Sequence, residues 1–298
     1  MSEEKTALLK NECLEVTASE HGAELHSAKL RGHEYLWTGD PAIWRRHAPV
    51  LFPFVGRNQD NTYRLHGKEY PMACHGFCQD AHFEIIEHDE THVVFEKTDS
   101  EETCAGYPFR FSFRVTYTIS DQTITVRYDV ENRSDETMYF GLGAHPGFLI
   151  PMEEGLSFED YFAEFPDACS PDQVVFSENV LVSGSRTPYP LEGGTRFPLR
   201  HDLFDFDAVV LENTGDTVCL RSDRGTRSAE VTFPQMPWVG LWHASKKEAP
   251  YVCIEPWVSL PGREGVIEEF SARRDLVHLP AGKTYVNKWT ITLHDGVN

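Results

Sequence analysis

The sequence predicts an all-β protein, a large antiparallel β-sandwich. Three observations carry that prediction. Residues 111–130 alternate apolar and polar side chains on either side of a short polar turn. The same period of two returns near the C-terminus, at 285–293. Between them, short apolar runs are punctuated by Gly, Pro, Asn and Asp, while period-3.6 patterning is scarce. Strands of that kind, with few helices, imply a sandwich or barrel.

In chain order, 92–96 (HVVFE) reads as the first short strand. Phe111, Phe113, Val115, Tyr117 and Ile119 then alternate with Ser112, Arg114, Thr116 and Thr118; Ile124, Val126, Tyr128 and Val130 resume after Ser-Asp-Gln. This is a hairpin with one buried face. ENRSDET makes a polar turn, and MYFGLGA reads as one more fully buried strand. The turn-rich region 151–200 reads as excursions from the sheet. Further short strands are expected at 208–212, 217–222, 229–233, 238–243 and 251–255, and a turn or two of helix within GVIEEFSARRD. Tyr285, Asn287, Trp289, Ile291 and Leu293 mark the last strand. No Gly/Ser linker or internal repeat interrupts the chain, so residues 1–298 are expected to form a single domain.

The net charge of −20 argues against a nucleic-acid partner, whose phosphates need the opposite balance. It only weakly disfavours a small anionic substrate, because a local arginine cluster overrides the global field. No apolar stretch is long enough for a membrane span, and the start does not read as a signal peptide. Seven cysteines without a regular framework read as reduced thiols in a cytosolic protein. Cys74 and Cys78 are the one close pair; without a second pair they do not make a zinc site.

Few residues stand out as carriers of chemistry. Glu255 lies inside YVCIEPWVSLPG, a run that otherwise reads as a buried strand. Burying a carboxylate there costs several kcal/mol unless it is paired or hydrogen-bonded. His75 (ACHGF) and His145 (GLGAHPGF) each stand where an apolar run meets a glycine turn, a rim position that suits catalytic groups and equally suits a hydrogen-bonded structural histidine. Arg57 ends LFPFVGR and offers fixed donors for hydroxyls or carboxylates, or simply covers a strand end. Asp205 and Asp207 precede a strand, where an aspartate also caps turns.

Taken in order, HGAELHSAKLRGHEYLW, LFPFVGRN, HGF, GAHPGF, HDLFDFDAVVLEN, CIEPW and LPAGKTYVNKWTITL resemble the aldose 1-epimerases, or galactose-mutarotase-like proteins. The closer resemblance is to the branch typified by LacX and the hexose-6-phosphate mutarotases. It spans nearly the whole chain and implies the family's supersandwich. It also implies roles: His145 as general acid, Glu255 as general base, and Arg57, His75 and one aspartate as substrate-binding groups. That aspartate is Asp207 by preference over Asp205. Relatives often read HGFAR where this chain reads HGFCQ, so Gln79 replaces an arginine that could hold an anionic sugar.

The implied chemistry interconverts α and β anomers of an aldohexose or its 6-phosphate. A carboxylate and an imidazolium suffice for it, with no metal and no organic cofactor. Trp242, Trp257 and Phe148 are candidate faces for a sugar ring. A non-catalytic carbohydrate-binding protein on the same fold is the alternative. A cupin-type metal isomerase would need clustered His-x-His spacing, which is missing.

Overall fold

The computed structural model describes residues 5–297. Two large antiparallel sheets dominate it. A nine-stranded sheet is centred on the hairpin Phe111–Ser120 and Thr123–Asn132, with the closing strand Thr284–His294 beside it. An eight-stranded sheet runs through Asp172–Phe176, Val209–Glu212, Trp238–Trp242 and Tyr251–Trp257 to Gly143–Ala144 and Val50–Leu51. A separate four-stranded sheet made by residues 6–34 packs Leu9, Val16 and Leu25 into the same core as both.

Alternation sets which faces meet. Phe113, Val115, Tyr117, Val126, Trp289 and Ile291 of the first sheet share one buried cluster with Leu211, Val239, Leu241, Val252 and Ile254 of the second. That shared interior makes the sandwich. The strand Tyr251–Trp257 is buried on both faces. Val252 and Ile254 point into the main core, while Tyr251, Cys253 and Trp257 belong to two smaller clusters on the outer face of the same sheet. Glu255 shares that outer face, between Cys253 and Trp257. Its cross-strand neighbour is Gly240, which leaves room for the carboxylate.

The hairpin register, Phe113 opposite Val130 and Tyr117 opposite Val126, follows the alternation expected from the sequence. MYFGLGA, however, is not one strand. Met138–Phe140 pairs with Val277–Leu279 in a separate ribbon, and only Gly143–Ala144 enters the eight-stranded sheet. The break falls at Gly141, whose N–H donates to the carbonyl of Pro53 and where a Cβ would lie 2.3 Å from Ser259 Oγ. Region 151–200 is more regular than expected: Phe162–Glu164 and Arg196–Pro198 extend the nine-stranded sheet, and Asp172–Phe176 and Val182–Pro188 extend the other. The helical stretch GVIEEFSARRD yields only a 3-10 turn at Phe270–Ala272. The α-helix among the described residues, Glu101–Gly106, starts at Ser100, whose hydroxyl accepts the Thr103 N–H; its six residues are too few to show a helical period. No described helix is long and apolar enough to cross a membrane.

Candidate active site

The outer face of the eight-stranded sheet carries a cavity of about 300 Å³. That is at the small end of ligand sites, roughly 300–1,000 Å³, and suits a small molecule. Glu255 forms part of its floor and is 2% exposed. His145 lies on the short turn between Gly143–Ala144 and Gly147–Leu149. That turn is held to the neighbouring strand by the Ile254 N–H donating to Pro146 O. The turn brings His145 Nε2 to 3.2 Å from Glu255 Oε1.

Their surroundings shift the two groups in opposite directions. Burial, and then the neighbouring Asp207, raises the Glu255 carboxyl well above the usual carboxylate range. Burial, then His75 and Arg46, pushes the His145 imidazole well below an ordinary histidine. Burial thus favours the neutral form of each group, the carboxylic acid of Glu255 and the neutral imidazole of His145, in two side chains 3.2 Å apart.

His75 reaches the cavity from the turn after Ala73. Its backbone is left-handed, φ +63°, and so is that of Gly76, φ +74°. A Cβ on Gly76 would lie 2.3 Å from Phe52 O, so the turn requires glycine there. His75 Nδ1 accepts the Gly56 N–H at 3.1 Å, which places the ring proton on Nε2. Burial, with Arg57 and Arg46 nearby, lowers this imidazole to about 4, so it is a neutral hydrogen-bond donor at physiological pH.

Arg57 and Asp207 complete the rim. Asp207 is half-buried, its Oδ1 accepts the Ala208 N–H at 2.8 Å, and burial raises its carboxyl against the pull of that bond and of Arg57. The structure thus gathers Arg57, His75, His145, Asp207 and Glu255 around one cavity. Asp205 is not among the lining groups; it is exposed at the end of the 3-10 turn His201–Phe204, with its charge felt by His243. Trp242 and Trp257 line the cavity, whereas Phe148 is fully buried in the main core.

Trp44, Arg46 and Cys74 also line the cavity. Arg46 is tied down: Nη1 donates to Gln79 O at 2.6 Å, Nη2 to Asp80 Oδ1 at 2.5 Å, and Glu24 Oε2 is 3.9 Å away. Arg45 also faces Asp80, at 3.6 Å, and is largely exposed. Gln79 donates to Cys74 O at 2.9 Å. The one sequence signal that could point to Trp44 is the density of aromatic and basic residues in WTGDPAIWRRH, a segment with neither strand nor helix period.

Among the described residues, two sets of donors lie within 4.8 Å of one another and could be asked to hold a metal: His145 with Cys253 and Glu255, and Glu24 with His26 and His47. In the first, all three groups are buried and His145 Nε2 lies 3.2 Å from Glu255 Oε1. In the second, the imidazoles stack at 4.3 Å and 23°, so their in-plane lone pairs run side by side instead of converging.

A family model for aldose 1-epimerase matches residues 5–292. The chromosomal LacX protein of Lactococcus lactis subsp. lactis is 35% identical over 265 residues, covering 86% of this chain and 88% of LacX. A galactose mutarotase related enzyme from Lactobacillus acidophilus superposes with a TM-score of 0.92 at 34% identity, over 99% of each chain. A galactose mutarotase-like protein from Lactobacillus casei has a TM-score of 0.92 at 32% identity, over 97% of this chain and 100% of its own. The chain belongs to the aldose 1-epimerase family of isomerases.

Proposed function

We propose that this protein interconverts the anomers of a free aldohexose, with Glu255 and His145 as its acid–base pair. The observation that carries the reading is their 3.2 Å contact in a monosaccharide-sized cavity rimmed by Arg57, His75 and Asp207. With one proton between them, the neutral pair and the carboxylate–imidazolium pair have the same net charge. Burial favours the neutral form; sugar hydroxyls entering the cavity solvate the ionic one.

From the ionic form, Glu255 takes the proton of the C1 hydroxyl. The C1–O5 bond breaks, its electron pair goes to O5, and O5 takes the proton from His145. The open aldehyde turns about C1–C2. O5 then attacks the other face of C1, returning its proton to His145, while the former carbonyl oxygen takes the proton from Glu255. The enzyme ends in the protonation state in which it began. Each transfer contributes about 10²–10⁴-fold. Neutral His75, with its Nε2 proton, together with Arg57 and Asp207, supplies hydroxyl contacts.

The charge around the cavity favours an uncharged sugar. Arg45 and Arg46 both face Asp80, and Arg46 also has Glu24 nearby, so neither is a ready phosphate clamp. Arg57 is opposed by Asp207. Exchange-NMR rates for glucose and galactose beside their 6-phosphates test this reading. Free sugars should be turned over at least as well. A tenfold or larger preference for a 6-phosphate, removed by Arg46→Ala, would overturn the substrate assignment; saturable binding without any anomerisation would favour a sugar-binding protein instead.

A further inference from the structure

We propose that Trp44 is a positioning residue for His145, its indole face fixing the imidazole plane against Glu255 and favouring the imidazolium that protonates the ring oxygen. The proposal rests on the acid role assigned to His145 above. Trp44 stacks on His145 with ring centroids 5.0 Å apart and planes at 30°. The imidazole is boxed on its other sides. Trp242 meets it edge-on at 5.3 Å and 85°, and His75 edge-on at 5.6 Å and 82°. Glu255 lies 3.2 Å from Nε2.

The indole is held there by its own loop. Asp40 O accepts the N–H groups of Ile43 and Trp44, and Asp40 Oδ1 accepts that of Ala42. Trp37 Nε1 donates to Trp44 O at 2.8 Å, and Lys247 Nζ donates to Ala42 O at 2.6 Å. Tyr251 stacks on the same indole at 5.4 Å and 19°. The turn that carries His145 leaves space for it: a Cβ on Gly147 would come within 3.2 Å of Trp44 Cζ3, and Gly147 N–H donates to His47 O. Trp44 and His145 are thus seated on one another through two loops distant in sequence.

An aromatic face attracts a cation without competing for its proton. The charged and titratable groups facing His145 are Glu255, His75, Arg46 and the thiol of Cys253. Glu255, as a carboxylate, favours the imidazolium; Arg46 opposes it. Trp44 adds a favourable term that stays in place once Glu255 has taken the proton of the C1 hydroxyl and lost its charge.

The test compares Trp44→Phe and Trp44→Leu with the wild type, by exchange-NMR kinetics across pH and by the His145 ring resonances. Trp44→Leu should lose about 3- to 30-fold in kcat with KM nearly unchanged. Its acid limb should move to lower pH, since the imidazolium has lost its support. Trp44→Phe should lose less and shift the limb in the same direction, and Trp44→Leu should move the His145 ring protons downfield as the ring current disappears. The inference is overturned if folded Trp44→Leu keeps its kcat and pH limb, or if Phe and Leu are equally impaired with no shift in the limb. Should Trp44→Leu not fold, the limb of Trp44→Phe decides alone. Full activity of His145→Asn would instead sink the acid role itself.

Discussion

Replacing Gly76 by alanine tests whether the His75 turn is built as described. Two separate penalties are expected. The first is conformational: Gly76 has φ +74°, where an L-residue costs about 1–2 kcal/mol. The second is steric. The new Cβ would lie 2.3 Å from Phe52 O, 2.5 Å from Phe52 C and 2.7 Å from Pro53 Cδ. These are backbone and ring atoms, and Phe52 O already accepts the N–H groups of Phe77 and Cys78. Relief therefore requires a backbone shift, adding about 1–3 kcal/mol. Gly67→Ala is the control, since Gly67 has φ +77° but nothing within 4 Å of its Cβ position. Urea unfolding should show a loss of about 1–2 kcal/mol for Gly67→Ala and about 2–5 kcal/mol for Gly76→Ala. Anomerisation should fall in Gly76→Ala alone, because His75 Nδ1 is drawn off the Gly56 N–H. Equal unfolding midpoints for the two variants would refute the steric argument.

Prolonged EDTA treatment should leave the anomerisation rate unchanged, since protons do the chemistry proposed; loss on chelation, restored by one divalent ion, would contradict it. The acid limb of kcat/KM should lie below the pKa of an ordinary histidine, about 6.5, because the His145 imidazole is depressed; a limb at or above that value would count against the buried pair. His75, lowered to about 4, favours the folded state above pH 6.5, and that contribution is lost as pH falls from 6.5 through about 4. The loss amounts to at most ~3 kcal/mol, so His75→Gln should flatten the fall of the urea midpoint across that window, and an unchanged fall would contradict it.

The sandwich was legible because its longest strands have one buried face each. Phe111 to Ile119 and Tyr285 to Leu293 write their alternation directly into the sequence. The break at Gly141 was not, since it depends on Pro53 and Ser259, which are distant in sequence. Glu255 was conspicuous because a lone carboxylate in an apolar run needs a reason; its partner His145 stood out only as a strand-end histidine. Asp205 and Asp207 differ by two positions in one loop, and only the chain's path shows which faces the cavity. Trp44 and Arg46 were hardest to place. Their loop has no period, and it reaches the site through tertiary contacts with Gly147 and Gln79.

The central claim is that Glu255 and His145 exchange protons with the sugar. The most direct measurement is exchange-NMR anomerisation of glucose and galactose by Glu255→Gln and His145→Asn, each shown to be folded by its urea midpoint. Both side chains keep similar shape while losing the ability to carry the proton. The account predicts that each variant loses about 10²-fold or more in kcat. Near-normal rates in both folded variants would contradict it.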